Sequence, residues 1–248
     1  MHLYALSEKL EFPDPQTASS EGLLAIGGDL SVARLVTAYA NGIFPWYDDD
    51  TPILWWSPDP RCVLYPSQLH VPASLRRRIN SGQFEVTLDT AFEAVIHACA
   101  DAARPGQSGT WIVDEMIDAY MNLHEAGVAH SVEVWSRGAG DGRVLAGGLY
   151  GVALGGVFYG ESMFYRRTDA SKVAVVWLVR LLEFWGYRVV DCQQTTTHML
   201  RFGAQEVSRA CFLEELDLAL RMPLRAGRWQ IPDGFRPLRR ATLPDENQ

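Results

Sequence analysis

The residues best suited to chemistry lie in Val189-Val190-Asp191-Cys192-Gln193. Read as a strand, this run sets alternate side chains on one face, so Asp191 and Gln193 point together and Cys192 points away. A carboxylate beside a carboxamide can manage a proton. Asp191 can hold the Gln193 amide so that its carbonyl oxygen faces the N–H of a nucleophile. The same aspartate can instead cap the turn that follows, and the residues leave both readings open. Cys192 as a nucleophile with a His partner needs the opposite face, and buried thiols are usually inert. Glu161, in Gly160-Glu161-Ser162-Met163-Phe164, follows a glycine-rich apolar run. An acid there is either paired or functional.

Aromatic residues cluster in Phe44-Pro45-Trp46-Tyr47, Trp55-Trp56 and Gly109-Thr110-Trp111. Such rings can stack on a nucleobase for ~1–3 kcal/mol each, or simply fill a core. Arg76-Arg77-Arg78 can meet phosphates or form an exposed helical face. The six His (His2, His70, His97, His124, His130, His198) show no ligand spacing, and the four Cys (Cys62, Cys99, Cys192, Cys211) show no CxxC pair. Neither a metal site nor a disulfide framework is expected. No P-loop and no GxGxxG occurs, so no nucleotide cofactor is expected either.

These groups need elements to position them. Residues 1–65 are rich in Pro and Gly and hold one helix, opening near Leu30–Ser31 with Ser31 as N-cap and Gly42 past its end. Beyond Pro66 the periodicity lengthens. Helices are expected over Pro72–Asn80, Thr90–Ala100, Ile112–Glu125, Ser171–Trp185, Thr196–Phe202 and Cys211–Leu220. Strands are expected over Phe84–Leu88, His130–Trp135, Val144–Tyr150, Ala153–Tyr159 and Tyr187–Asp191. Val144–Gly160 is an uncharged run of 17 residues with six glycines. It falls short of the ~20 residues of a spanning helix and reads as two buried strands joined by a glycine-rich turn. The class is α+β: a small N-terminal α/β domain (1–65), a mixed catalytic domain (66–222), and an Arg- and Pro-rich tail (223–248) expected to be weakly ordered.

With 248 residues and 48% apolar composition, the chain can bury a core without staples. No charged-then-apolar leader precedes the first elements, so a reducing cytoplasm is the expected location. The net charge of -8 is uneven. Residues 1–65 carry three bases against nine acids, a net -6, and the remaining 19 bases and 21 acids leave -2. A local Arg face around Arg76–Arg78 is therefore compatible with an acidic chain.

Ordered blocks along the chain resemble the leucyl/phenylalanyl-tRNA–protein transferase family. They begin with Glu21-Gly22-Leu23-Leu24-Ala25-Ile26-Gly27-Gly28-Asp29-Leu30, Gly42-Ile43-Phe44-Pro45-Trp46 and Ile53-Leu54-Trp55-Trp56-Ser57-Pro58-Asp59-Pro60-Arg61. Gly109-Thr110-Trp111-Ile112, His130-Ser131-Val132-Glu133-Val134-Trp135 and Gly147-Gly148-Leu149-Tyr150-Gly151-Val152-Ala153 follow in order. Gly160-Glu161-Ser162-Met163-Phe164, Ala170-Ser171-Lys172 and Asp191-Cys192-Gln193 complete the set. Arg201-Phe202 departs from the usual Ser-Leu before Gly203-Ala204, and the tail from Arg225 is not covered.

The resemblance implies a cytoplasmic enzyme that moves Leu, Phe or, less readily, Met from aminoacyl-tRNA to the N-terminal Arg or Lys of a protein. That reaction marks the protein for N-end rule degradation. It also implies an acetyltransferase-like (GNAT) second domain, no cofactor, no membrane partner and a monomeric state. It assigns Asp191 and Gln193 as the catalytic pair and Glu161 to the acceptor N-terminus. Leu149, Phe158 and Val175 would line the donor pocket. Trp46 and Trp111 would receive the terminal adenosine, with Tyr39 and Tyr120 nearby. Two rival classes are a non-enzymatic RNA- or peptide-binding module and a CoA-dependent N-acyltransferase. The lack of a phosphate-cradling glycine loop opposes the latter. Selectivity for the acylated end is expected to rest on stacking and an apolar pocket, with few phosphate contacts and a shallow salt dependence.

Overall fold

The computed structural model describes residues 3–102, 111–138 and 142–238. Seven strands form one mixed sheet: β5 (Arg61–Leu64), β6 (Phe84–Leu88), β7 (Ala129–Arg137), β8 (Arg143–Leu154), β9 (Val157–Tyr165), β10 (Val189–Gln193) and β11 (Gln205–Val207). Their order is β11-β5-β10-β9-β8-β7-β6. Every neighbouring pair is antiparallel except β9 and β10. A smaller sheet, ordered β1-β2-β4-β3, is built from β1 (Tyr4–Leu6), β2 (Leu23–Gly27), β3 (Phe44–Pro45) and β4 (Leu54–Trp56). β5 ends at Leu64, so a division at residue 65 falls after a strand of the large sheet rather than before it.

Each face of the large sheet carries its own core. On one face lie α1 (Val32–Ala40), α3 (Phe92–Ala100), α4 (Asp114–Glu125) and α7 (Arg209–Leu220), packed on Tyr150, Val152, Val157 and Tyr159. The small sheet joins this core through Leu24, Ala25, Phe44 and Trp55. On the other face, α2 (Ala73–Asn80) and α5 (Ala170–Phe184) cover Leu149, Ala153, Phe158 and Val190. A short helix α6 (Thr197–Leu200) follows β10. The N-cap of α1 is as the sequence suggests: Ser31 Oγ accepts from the Arg34 N–H, and Gly42 takes φ +71° after the helix end.

Two expectations are corrected. β8 runs on through Leu154, and the hairpin turns at Gly155-Gly156, where Gly155 has φ +54°. Gly151 stays inside the strand because a Cβ there would lie 2.1 Å from the Tyr159 carbonyl oxygen. Crowding, not turning, explains that glycine. Residues 223–238 of the tail are also ordered, and the rest of it lies outside the described residues. Trp229 is buried, its N–H donates to Asp89 Oδ2 at 2.6 Å, and its ring stacks on His130 at 3.8 Å. His130 Nδ1 sits 2.8 Å from the same carboxylate oxygen. Burial pushes the His130 pKa down despite that carboxylate, so the imidazole is held neutral and donates from Nδ1. Aromatic burial (Trp229 also meets Trp185 edge-on) outweighs the polar composition of this segment.

Candidate active site

β9 and β10 pair in parallel through Val157↔Val189, Phe158↔Val190 and Tyr159↔Asp191. At that point each strand bulges. On β9, Gly160 and Ser162 face Gly151 and Tyr150 of β8, leaving Glu161 as the extra residue. On β10, Asp191 and Gln193 face Val63 and Cys62 of β5, leaving Cys192 extra. Bulges bend a strand and re-aim its side chains. The two extra residues break simple alternation, and Gln193 takes the left-handed backbone, φ +60°. Gln193 Nε2 thereby donates to Glu161 Oε1 at 2.9 Å across the parting strands.

Glu161 is half-buried and ringed by donors that carry no charge. Tyr39 donates to Oε1 at 2.8 Å and Tyr120 to Oε2 at 2.9 Å, and the two hydroxyls also contact each other. Tyr159 donates to the Tyr39 carbonyl oxygen at 2.6 Å, tying α1 to β9. Burial pushes the Glu161 pKa up to about 7, against the opposing pull of its hydroxyl and amide donors. Both tyrosines are pushed well above their ordinary range, first by burial and then by the Glu161 charge, so they remain donors.

Asp191 occupies the contrasting environment. It is fully buried and forked by Arg61, with Nε to Oδ1 at 2.9 Å and Nη2 to Oδ2 at 2.6 Å. Arg61 is equally buried, donates through Nη1 to the Gly42 carbonyl oxygen at 3.1 Å, and lies between the Phe44 and Phe212 rings. Asp191 Oδ1 accepts the backbone N–H of Gln193 at 2.8 Å. The expectation that Asp191 grips the Gln193 side-chain amide is thus corrected: Asp191 holds the backbone, and Glu161 holds the amide. With its Nε2 committed, Gln193 turns its carbonyl oxygen to accept.

Trp46 and Trp111 are half-buried and pack on the same core as Tyr39 and Tyr120. Trp46 meets Trp56 edge-on, 5.6 Å between centroids. Gly109 and Thr110 lie outside the described residues. Leu149, Phe158 and Val175 gather in the core on the other face, all buried, with half-buried Met163 and Cys192 beside them. Met163 is the register partner of Leu149. Its half-exposed position makes it the more accessible apolar group. The Arg76-Arg77-Arg78 run is divided. Arg76 Nε donates to the Val71 carbonyl oxygen, Arg78 pairs with Asp169 and Gln83, and Arg77 stays exposed. The Cys192 thiol is pushed well up, first by its hydrogen bond with Cys62 and then by burial, which disfavours the thiolate a nucleophile needs.

Sequence reasoning missed Arg61 and Tyr159 as parts of this site. Arg61 carried a signal, being a cation inside the apolar run Arg61-Cys62-Val63-Leu64, which must find a buried acid. Among the described residues no group of three His, Cys, Asp or Glu is arranged to hold a metal. A surface cleft of about 380 Å³, lined by Tyr65, Gln68, Glu183, Tyr187 and Arg188 among others, shares no residue with the site. No helix among the described residues is long and apolar enough to cross a membrane.

Two family models match the chain: "Leucyl/phenylalanyl-tRNA protein transferase" over residues 63–217, and its N-terminal domain over residues 28–59. The leucyl/phenylalanyl-tRNA–protein transferase of Anaeromyxobacter sp. (strain Fw109-5) is 59% identical over 96% of this chain and 99% of its own. Its counterpart in Nitratidesulfovibrio vulgaris (strain DP4) is 59% identical over 96% of this chain and 100% of its own. The structure of L-PGS from Bacillus licheniformis is similar at a TM-score of only 0.39 and 10% identity, over 75% of this chain and 62% of that one. Sequence identity of 59% over 96% of the chain, with a family model spanning residues 63–217, makes this an aminoacyltransferase: the chain belongs to the leucyl/phenylalanyl-tRNA–protein transferase family.

Proposed function

We propose that the junction of β9 and β10 passes Leu or Phe from the 3′ ester of tRNA to the α-amine of an N-terminal Arg or Lys. The observation that carries this reading is the Glu161–Gln193 hydrogen bond at the point where the two strands part. An aminoacyl ester is already activated, so the site has to supply position and a path for one proton. Gln193 Oε1 accepts an N–H of the neutral amine and aims its lone pair at the ester carbonyl. The N–C bond forms, the ester C–O bond breaks, and the departing ribose oxygen takes the amine's proton. Asp191 and Arg61 act as positioning residues, fixing the backbone of Gln193. Glu161 fixes its amide and, once ionised, faces the cationic acceptor.

On this reading Trp46 and Trp111 receive the terminal adenosine. Leu149, Phe158 and Val175 form the apolar wall for the donor side chain, reached past Met163. Apolar pockets separate hydrophobes by only ~1–3 kcal/mol per methylene, which suits a site that takes Leu, Phe and, less readily, Met. The large mixed sheet, whose parallel pair opens at the site, is of the acetyltransferase type. The enzyme works in the cytoplasm as a monomer and feeds N-end rule degradation.

The deciding assay incubates the protein with radiolabelled Phe-tRNA and an Arg-initiated peptide, without ATP or CoA. Label on the peptide α-amine is expected, with Gln193→Ala greatly slowing its appearance while the fold persists. Binding of tRNA without transfer would instead mark a binding module, and transfer only with CoA would mark an N-acyltransferase.

A further inference from the structure

Beyond the junction, β9 continues to Tyr165 and into the turn that leads to α5. Tyr165 is 68% exposed, the highest value among the large exposed hydrophobic residues. Arg166 and Arg167 follow it, both exposed. Their backbone N–H groups both donate to the Ala146 carbonyl oxygen, at 2.7 and 3.1 Å, so the turn is anchored to the sheet. The Arg166 guanidinium stands 5.5 Å from the Phe164 centroid. Among the described residues neither arginine has an acidic partner. Asp169, the acid of this turn, is already engaged by Lys172 at 2.8 Å and by Arg78 at 3.5 Å. An acidic chain thus places, on one anchored turn, an exposed aromatic and two guanidinium groups that have no acidic partner among the described residues. Four residues of strand put Tyr165 about 13 Å from Glu161, further than one nucleotide reaches.

We propose that Tyr165, Arg166 and Arg167 form the subsite for the single-stranded nucleotides that precede the aminoacylated end of the tRNA. Tyr165 stacks one base, and the two arginines meet its flanking phosphates. Every base has a π-face, so stacking tolerates any sequence there, and Arg forks match phosphate oxygens. Anchoring by Asp169 links this turn to α2, so the strand of nucleotides leaves the site toward exposed Arg77. The inference rests on the acyl-transfer reading, which sets the acylated end at Glu161 and Gln193.

The test compares two donors, Phe-tRNA and 3′-O-phenylalanyl-adenosine, which lacks the upstream nucleotides. Tyr165→Ala is expected to weaken Phe-tRNA binding about 10-fold, whereas Tyr165→Phe restores it. The double variant Arg166→Gln/Arg167→Gln is expected to lower the slope of log Kd against log salt by about 1.4. In all variants the loss is confined to the tRNA donor. Equal losses with both donors, an unchanged salt slope, or a shift in the KM of the Arg-initiated peptide instead of the tRNA would each overturn the subsite. Wild-type protein that transfers from neither donor would overturn the acyl-transfer reading, while the tRNA-binding measurements still judge the subsite.

Discussion

Two carboxylates on neighbouring strands meet opposite environments. Asp191 faces a fixed guanidinium, wholly out of water. Glu161 faces tyrosine hydroxyls and an amide, with no cation among its hydrogen-bond partners in the described residues, and its pKa is pushed up to about 7. Environments that differ this way divide labour between acids. The paired acid is committed to architecture, and the acid held by neutral donors keeps a protonation change within reach of physiological pH. The difference teaches that Gln193 is shared: one acid owns its backbone and the other its side chain.

The sharpest way to break the contrast is to strip Asp191 of its partner. Arg61→Met leaves a buried charge uncompensated and should cost about 3–5 kcal/mol in urea unfolding. Adding Asp191→Leu should recover much of that loss. A single variant within about 1 kcal/mol of wild type would show that the pair does not hold the junction. Next in size is Gln193→Ala, expected to slow transfer by about 10²-fold or more. Its melting temperature should fall slightly, because the amide that donates to Glu161 is lost and Ala is as strained as Gln in the left-handed backbone. Gln193→Gly should unfold later than Gln193→Ala, because glycine takes the left-handed backbone without strain, and transfer as slowly.

The Glu161 side yields a pH signature. In the fold Glu161 holds its proton up to about pH 7, against about 4.5 for an ordinary glutamate. Between those values the native state binds the extra proton. Stability attributable to this group therefore falls as pH rises through that window and is level above it. Transfer should rise through pH 7 as Glu161 ionises. Glu161→Gln should flatten that limb and raise the KM for the Arg-initiated peptide by about 10-fold, one charge-assisted contact's worth. An equal rise in the KM for Phe-tRNA would contradict its acceptor role. The smallest expected effect is that of Tyr39→Phe. It removes one donor to the carboxylate, worth about 0.5–1.5 kcal/mol, and should move the acid limb of the pH profile upward by roughly half to one unit. A downward move would mean that Tyr39 does not donate to Glu161.

Periodicity alone located much of the scaffold. Phe84–Leu88 is a strand with the expected ends, and Ser171–Trp185 differs from the observed α5 by one residue at either end. These segments bury one face locally, so short-range pattern reports them. The hairpin turn was misplaced because Gly151 and Gly155 look alike in a sequence, while only the fold shows that one is crowded and the other turns. Residues 223–238 were misread because what holds Trp229 is Asp89 and His130, far away in the chain.

For the site, the sequence by itself singled out the residues to which the chemistry is proposed to belong. Asp191, Gln193 and Glu161 stand at the ends of apolar strands, where an acid or amide must be paired or used. What the tertiary structure alone decided is who holds whom. Two bulges, one on each strand, swing Glu161 onto the amide of Gln193 and leave Asp191 to Arg61, 130 residues away. A bulge adds one residue without changing composition or periodicity enough to be read. Its effect, turning a side chain to the other partner, exists only once neighbouring strands are in register.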